Sequence, residues 1–143
     1  MTTIHKSAIV PYSQERMYHL VMDVDSYHEF LPWCSKSRLL SRTDEFIEGE
    51  ICVSHTGFNQ AFSTRNYLEP NNRMTIKLLD GPFKSLQGQW DFIELDKSNS
   101  KISLKLDFEF KNKLVSMALT PVFSQMANSM VDSFCQRAVS IYQ

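Results

Sequence analysis

Between Ile102 and Phe110 the chain alternates strictly: Ile102, Leu104, Leu106, Phe108 and Phe110 are apolar, while Ser103, Lys105, Asp107 and Glu109 are polar. A period of two sends successive side chains to opposite faces, so this segment is a strand with one face on a core and one in water. Weaker forms of the pattern precede it. Ile47, Ile51 and Val53 share a face within Phe46–Ser54, as do Met74, Ile76 and Leu78 within Arg73–Leu79. Leu86, Gly88, Trp90 and Phe92 share one within Leu86–Leu95. Thr3–Val10 reads as a first strand ended by Pro11, and Lys36–Thr43 and Asn59–Leu68 as strands of mixed character. The turns between them are short: Glu48-Gly49, His55-Thr56-Gly57, Glu69-Pro70-Asn71-Asn72, Asp80-Gly81-Pro82 and Asp96-Lys97-Ser98-Asn99. Short connections imply antiparallel neighbours, because a parallel crossover needs a dozen residues or more.

Two regions change period. After Pro11, Ser13 is placed to cap a helix whose apolar face is Met17, Leu20, Val21 and Val24. Asp25 or Ser26 then caps a short helix, Tyr27–Leu31, stopped by Pro32. At the other end, Leu114, Met117/Ala118, Val122, Met126, Met130, Phe134, Ala138 and Ile141/Tyr142 recur every three to four residues. This predicts a helix over Lys113–Tyr142, about 45 Å long, with a kink expected near Met117–Pro121 because Pro121 removes a donor and crowds the preceding turn. The order is one strand, two short helices, further strands, then one long helix. That is an α+β domain: a curved antiparallel sheet of six to seven strands with helices on one face. With no repeat, low-complexity tract or linker, one domain spans residues 1–143.

Composition narrows the class. Hydrophobic residues reach 43% and aromatic residues 12%, enough for a core and a surplus of rings. The net charge of −1 lacks the cationic excess of a general nucleic-acid binder, so general DNA binding is not expected. Lys101, Lys105, Lys111 and Lys113 form either a local basic patch or a solvated strand edge and helix start. Three cysteines, Cys34, Cys52 and Cys135, with no C-x-x-C pair, suit a reducing compartment. No apolar run approaches a membrane span, and Met1–His5 has neither a signal-peptide nor a transit-peptide character. The chain reads as cytoplasmic.

Motifs for chemistry are sparse. There is no dinucleotide-binding or phosphate-binding glycine motif and no nucleophile elbow. His5, His19, His28 and His55 are scattered, so no metal site is expected; His28 and Cys34 read as a surface histidine and a buried thiol. Asp23 and Asp25 read as helix caps rather than cation ligands. A polar pair for catalysis would have to come from Arg65, Asn66, His55 or Asp107. Two aromatic clusters stand out. They are Tyr27-His28-Glu29-Phe30-Leu31-Pro32-Trp33-Cys34, and Gly81-Pro82-Phe83 followed by Leu86, Gly88, Trp90 and Phe92. Such rings beside proline-set turns either line a pocket mouth or plug the ends of the sheet. Met117, Met126 and Met130 are either plain core or the adaptable wall of a cavity.

These same residues carry a resemblance. The segment Tyr27…Phe30-Leu31-Pro32-Trp33-Cys34, the run Gly81-Pro82-Phe83-x-x-Leu86-x-Gly88-x-Trp90-x-Phe92 and the ending Met130-Val131-x-x-Phe134-x-x-Arg137-Ala138 resemble the START-like (SRPBCC) superfamily. Within it they are similar to the coenzyme Q-binding and ribosome association toxin RatA family. His28, where relatives carry proline, and Pro121 are departures bearing on the cavity mouth and on the helix that seals it. The resemblance implies a helix-grip fold, with an apolar cavity between the sheet and the last helix. It implies non-catalytic binding of ubiquinone or a related lipid, in support of respiratory quinone function, with no catalytic cofactor. The alternative it implies is a toxin that binds the large ribosomal subunit and blocks subunit joining. Transient contact with a membrane surface is a third expected association. Cyclase or hydrolase activity is not expected. The expected ligand-binding residues are Trp33, Phe83, Trp90, Phe92, Leu106, Phe108, Met126 and Met130.

Overall fold

The computed structural model describes residues 1–55 and 58–142, without the side chains of positions 55 and 58. Seven antiparallel strands form one sheet: β1 (Thr2–Val10), β2 (Cys34–Arg42), β3 (Phe46–His55), β4 (Phe58–Glu69), β5 (Arg73–Asp80), β6 (Phe83–Glu94) and β7 (Ser100–Phe110). Their order is β1-β7-β6-β5-β4-β3-β2. Every strand therefore pairs with a sequence neighbour except β1, which lies on β7 at the far edge. Helix α1 (Gln14–Met22) and a 3₁₀ segment (Val24–Glu29) connect the two edges. Helix α2 (Lys113–Tyr142) closes the concave face. The sheet curves, helped by bulges at Cys34/Lys36, Leu39/Ser41, Ser63/Thr64 and Phe83/Ser85, each of which bends its strand. This is the expected helix-grip arrangement. The turn expected at His55-Thr56-Gly57 falls partly outside the described residues.

The first helix forms as its sequence dictates. Arg16 N–H donates to Ser13 Oγ at 3.2 Å, and Met17, Leu20, Val21 and Val24 are buried. The second differs from expectation. It is 3₁₀, it runs Val24–Glu29 rather than Tyr27–Leu31, and no side chain caps it. The reason lies in the strand beside it. Asp25 Oδ1 accepts the Leu39 N–H of β2 at 2.8 Å, and Ser26 Oγ donates to Asp23 Oδ2 at 2.6 Å. The polar groups expected to cap the helix are thus bonded elsewhere.

Helix α2 has the expected span and runs unbroken through Pro121. Its buried stripe is displaced from the expected one. Phe123, Met126, Ala127, Val131, Phe134 and Ala138 are buried, whereas Leu114 and Met117 are 78% and 75% exposed and Ile141 is exposed too. A spacing of three to four residues fixes a helix face but not where along it the partner surface begins. The C-terminal half is fastened to the rest of the chain. Lys6 Nζ meets Asp132 at 3.3 Å, Arg137 meets Glu29 at 3.0 Å and lies over the Phe30 ring, and Tyr142 donates its hydroxyl to the Arg16 carbonyl at 2.9 Å. At the other end, Asn112 Oδ1 caps the helix by accepting the Leu114 N–H at 2.8 Å.

Two glycines of the Gly81…Gly88 run are steric requirements. Gly81 has φ +151°, and a Cβ there would lie 2.6 Å from Phe62 Cβ. A Cβ on Gly88 would lie 2.3 Å from the Lys105 carbonyl oxygen on β7. Backbone cannot yield as a flexible side chain can. Gly88→Ala is expected to lower stability by about 1–3 kcal/mol through overpacking, read as a reduced urea or thermal midpoint. An unchanged midpoint would show that β6 and β7 separate at little cost.

Candidate functional site

The concave face and α2 enclose two aromatic clusters with a gap between them. In one cluster Phe83 stacks on Phe110 at 4.7 Å, and Phe123 of α2 meets Phe108 at 4.7 Å, Phe83 at 5.2 Å and Phe62 at 6.1 Å. In the other, Phe134 of α2 meets Phe30 at 5.2 Å and both Tyr27 and Trp90 at 5.3 Å, with Phe92 stacked behind Trp90 at 6.1 Å. Edge-on contacts of this kind add to what area burial alone supplies.

The gap is a cavity of about 70 Å³. Its walls come from the sheet, the last helix and the segment that precedes β2. Trp33 precedes β2, and Tyr27 lies on the 3₁₀ segment. Ile51 stands on β3, and Phe62, Thr64 and Asn66 stand on β4. Ile76, Leu86, Trp90, Leu104 and Leu106 come from β5 to β7, and Phe123, Met126, Ala127 and Met130 from α2. Five of the eight expected ligand-binding residues therefore line it: Trp33, Trp90, Leu106, Met126 and Met130. Phe83, Phe92 and Phe108 do not. They are fully enclosed one layer back, where ring contacts with Phe110, Tyr18 and Phe123 hold them in the plugs at either end of the cavity. Rings beside proline turns were expected either to line a pocket or to plug the sheet; here they do both, and their neighbours decide which.

One candidate for a polar pair, Asn66, also lines the cavity, beside two residues that the pattern did not single out, Phe62 and Thr64. Phe62, Thr64 and Asn66 are every second residue of β4, so they share the inner face. Thr64 Oγ1 donates to Asn66 Oδ1 at 3.0 Å, next to the bulge at Ser63/Thr64. Register puts Asn66 between Ile47 of β3 and Ile76 of β5. The strict alternation of β7 advertises its inner face, but polar residues on the inner face of β4 hide the same period. A further polar atom, Trp33 Nε1, is out of solvent and has no hydrogen-bond partner among the described residues. Tyr27 donates its hydroxyl to the Val21 carbonyl, and burial, with Asp23 and Cys34 nearby, pushes its pKa well above the ordinary phenol value.

The other candidates lie outside the cavity. Arg65 points to the outer face, where it pairs with Glu48 at 2.6 Å and covers the Phe46 ring. Asp107 accepts the Thr3 hydroxyl. The His55 side chain is outside the described residues. His28 is exposed on the outside of β2, where its N–H donates to Ser37 Oγ at 3.1 Å. It sits in an open depression of about 490 Å³ with Ser35, Lys36, Arg38, Glu50 and Cys52, not at the cavity mouth. Among the described residues no three potential ligands gather to hold a metal ion, and no helix is long and apolar enough to cross a membrane.

Comparison with known proteins places this geometry. Residues 10–135 match the family described as polyketide cyclase / dehydrase and lipid transport. The chain belongs to that family. Within the family, the ribosome association toxin RatA of Escherichia coli is 44% identical over 142 residues, covering 99% of this chain and 90% of the relative. The mitochondrial coenzyme Q-binding protein of Drosophila melanogaster is 29% identical over 135 residues, covering 92% of this chain and 56% of the relative. Among solved structures, the Zhui aromatase/cyclase from a Streptomyces species superposes with a TM-score of 0.88 at 15% identity, covering 99% of this chain and 96% of that one. A START superfamily protein from Mycobacterium smegmatis superposes with 0.73 at 18%, covering 94% and 92%. At such identities the two structures establish the fold alone. The START-like family read from the sequence is thereby established.

The Phe30-Leu31-Pro32-Trp33-Cys34 string that carries the resemblance ends in a thiol. Cys34 is buried, and desolvation, with Cys52 nearby, pushes its pKa up to about 11. A thiol reacts through its thiolate. At pH 8 iodoacetamide is therefore expected to leave Cys34 unmodified in the folded protein and to label it after denaturation, as read by peptide mass spectrometry. Prompt labelling in the folded state would contradict the packing of this string.

Proposed function

We propose that this protein associates with the large ribosomal subunit and blocks subunit joining, as a RatA-type toxin. The carrying observation is the 44% identity to a ribosome association toxin over 99% of the chain, against 29% to the coenzyme Q-binding relative. The geometry supports the same ranking. An apolar cavity of roughly 150 Å³ holds a benzene ring, and the space under α2 is about 70 Å³. In the closed form, the outer surface is what a partner meets. That surface includes exposed Leu114 and Met117 on the first turns of α2, with exposed Lys111 and Lys113 beside them. Lys84 lies at the same end of the sheet, where the Lys111 N–H donates to the Pro82 carbonyl. Exposed apolar residues rimmed by cations suit a surface of protein and phosphate. A ribosomal role carries a cytoplasmic location with it.

Apolar-ligand binding is the second reading, with ubiquinone or a related lipid in the cavity and a supporting role in respiration. The apolar lining under α2 favours it. A binding role also fits the chemistry of that lining. Its one titratable side chain among the described residues is Tyr27, whose hydroxyl is already bonded and whose proton burial holds.

Sucrose-gradient profiles after overproduction test the leading reading. Free subunits are expected to rise at the expense of joined ribosomes, with the protein cosedimenting with the large subunit. Leu114→Asp/Met117→Asp, which alters exposed positions, is expected to fold with an unchanged thermal midpoint and to reduce the effect at least severalfold. An unchanged ratio of subunits to joined ribosomes with the parent protein would remove the proposal.

A further inference from the structure

We infer that the convex face of the sheet, around Gln87 and Gln89 of β6, is a binding surface for unpaired RNA. The inference rests on the ribosome-association reading for the identity of that RNA, and it adds the chemistry by which this chain grips it.

The face follows from register. Met74 and Ile76 of β5, Leu86 and Trp90 of β6, and Leu104 and Leu106 of β7 are buried under α2, so the odd-numbered residues of these strands point the other way. Pairing lays those outward side chains in rows across the strands. One row runs Tyr67, Thr75, Gln89, Lys105 from β4 to β7. The next runs Arg65, Lys77, Gln87, Asp107. Between the two rows lies a shallow depression of about 210 Å³, floored by the backbone of Ile76 and Gly88.

The charge of this face differs from that of the whole chain. Asp91 is neutralised by Arg73 at 2.7 Å and Glu48 by Arg65 at 2.6 Å. The depression itself holds two exposed lysines, Lys77 and Lys105, against one carboxylate, Asp107, which is occupied in accepting the Thr3 hydroxyl. The lysines lie on a diagonal, two strands and two residues apart, so their Cα atoms are about 12 Å from each other. A nucleotide can lie between the two phosphates they neutralise. From Lys105 the strand leads on to exposed Lys111, at the end of the sheet that carries the exposed turns of α2.

Uncharged groups choose among polyanions. Tyr67, at the head of its row, is 42% exposed, and an exposed ring is a platform for an unstacked base. The Gln87 and Gln89 amides each offer a donor and an acceptor to base edges. A base inside a duplex presents neither its face nor its pairing edge, so this combination selects an unpaired strand.

The purified full chain is titrated, by fluorescence anisotropy at about 50 mM salt, with a short single-stranded RNA of mixed sequence, with its duplex and with polyglutamate. The single strand is expected to bind about tenfold more tightly than either of the others. Lys77→Gln/Lys105→Gln is expected to weaken it about tenfold and to flatten the slope of log K against log salt by about 1.4, at about 0.7 per phosphate contact. Tyr67→Ser is expected to cost about fivefold or more, whereas Tyr67→Phe, which keeps the ring, binds like the parent. Lys97→Gln, at an exposed lysine in the turn between β6 and β7, is expected to change nothing. Absent binding of the single strand, equal binding of the duplex or of polyglutamate, or affinity that survives the lysine pair or Tyr67→Ser overturns the inference. Sucrose gradients separate it from the reading beneath it. If the parent raises free subunits and the lysine-pair variant does so equally, ribosome association stands and the inference falls. If the parent leaves the ratio unchanged, ribosome association falls, and the titrations alone decide whether this face binds RNA.

Discussion

Everything in this fold depends on how α2 is held against the sheet, and two rings hold it. Phe123 and Phe134 are buried at 6% and 0% exposure, and each is the centre of its own aromatic cluster. They stand eleven residues apart, about 16 Å along the helix. Removing a buried phenylalanine costs about 3–5 kcal/mol, so each anchor is a large share of the stability of a small domain. Between the anchors the helix presents Met126, Ala127 and Met130 rather than rings. Bulky side chains at both ends set the distance between helix and sheet, and smaller or more pliable ones in the middle do not fill it. The cavity is a consequence of the anchors.

That origin explains both its size and its lining. A gap left between two plugs is small unless something widens it. It inherits the flanks of the plugs, Phe62 and Phe123 on one side and Tyr27 and Trp90 on the other. A chain of this family can therefore keep the fold while the middle of α2 and the inner face of β4 change what the gap accepts. The stability requirement sits on Phe123, Phe134 and their partners, while Trp33, Thr64, Asn66 and Met126 supply wall of the gap between them. A superposition at 15% identity on an aromatase/cyclase therefore carries the fold and says nothing of chemistry here.

The boundaries of α2 and the inner face of β7 were legible because each expresses a single period over many residues. The Gly81…Gly88 run was legible as a pattern, but its cause appears only in three dimensions, where Lys105 and Phe62 crowd the missing Cβ atoms. What stayed hidden depended on partners distant in sequence. Phe92 and Trp90 are both inward on β6, yet one is core and one is cavity wall because Tyr18 stands behind Phe92. Thr64 and Asn66 broke the apolar code of an inner face. Asp25 looked like a cap and bonds β2 instead. In each case local sequence stated the face or the role available, and tertiary packing chose among the options.

The two halves of α2 are under different constraints, and Pro121 lies at the change. From Phe123 onward one face of the helix is buried, and beyond it Asp132, Arg137 and Tyr142 fasten it to β1, the 3₁₀ segment and α1. Before Pro121, Leu114 and Met117 stand in solvent. Pro121 has no N–H for the Met117 carbonyl, so the helix is weakest where burial begins. Val122 and Met126, just past this point, line the outer groove. The exposed turns and the outer groove thus meet at one segment of one helix. They remain energetically separate as long as the closed packing of Met126 is the same with and without a partner on the exposed turns, because a ligand shifts only an equilibrium between states that it distinguishes.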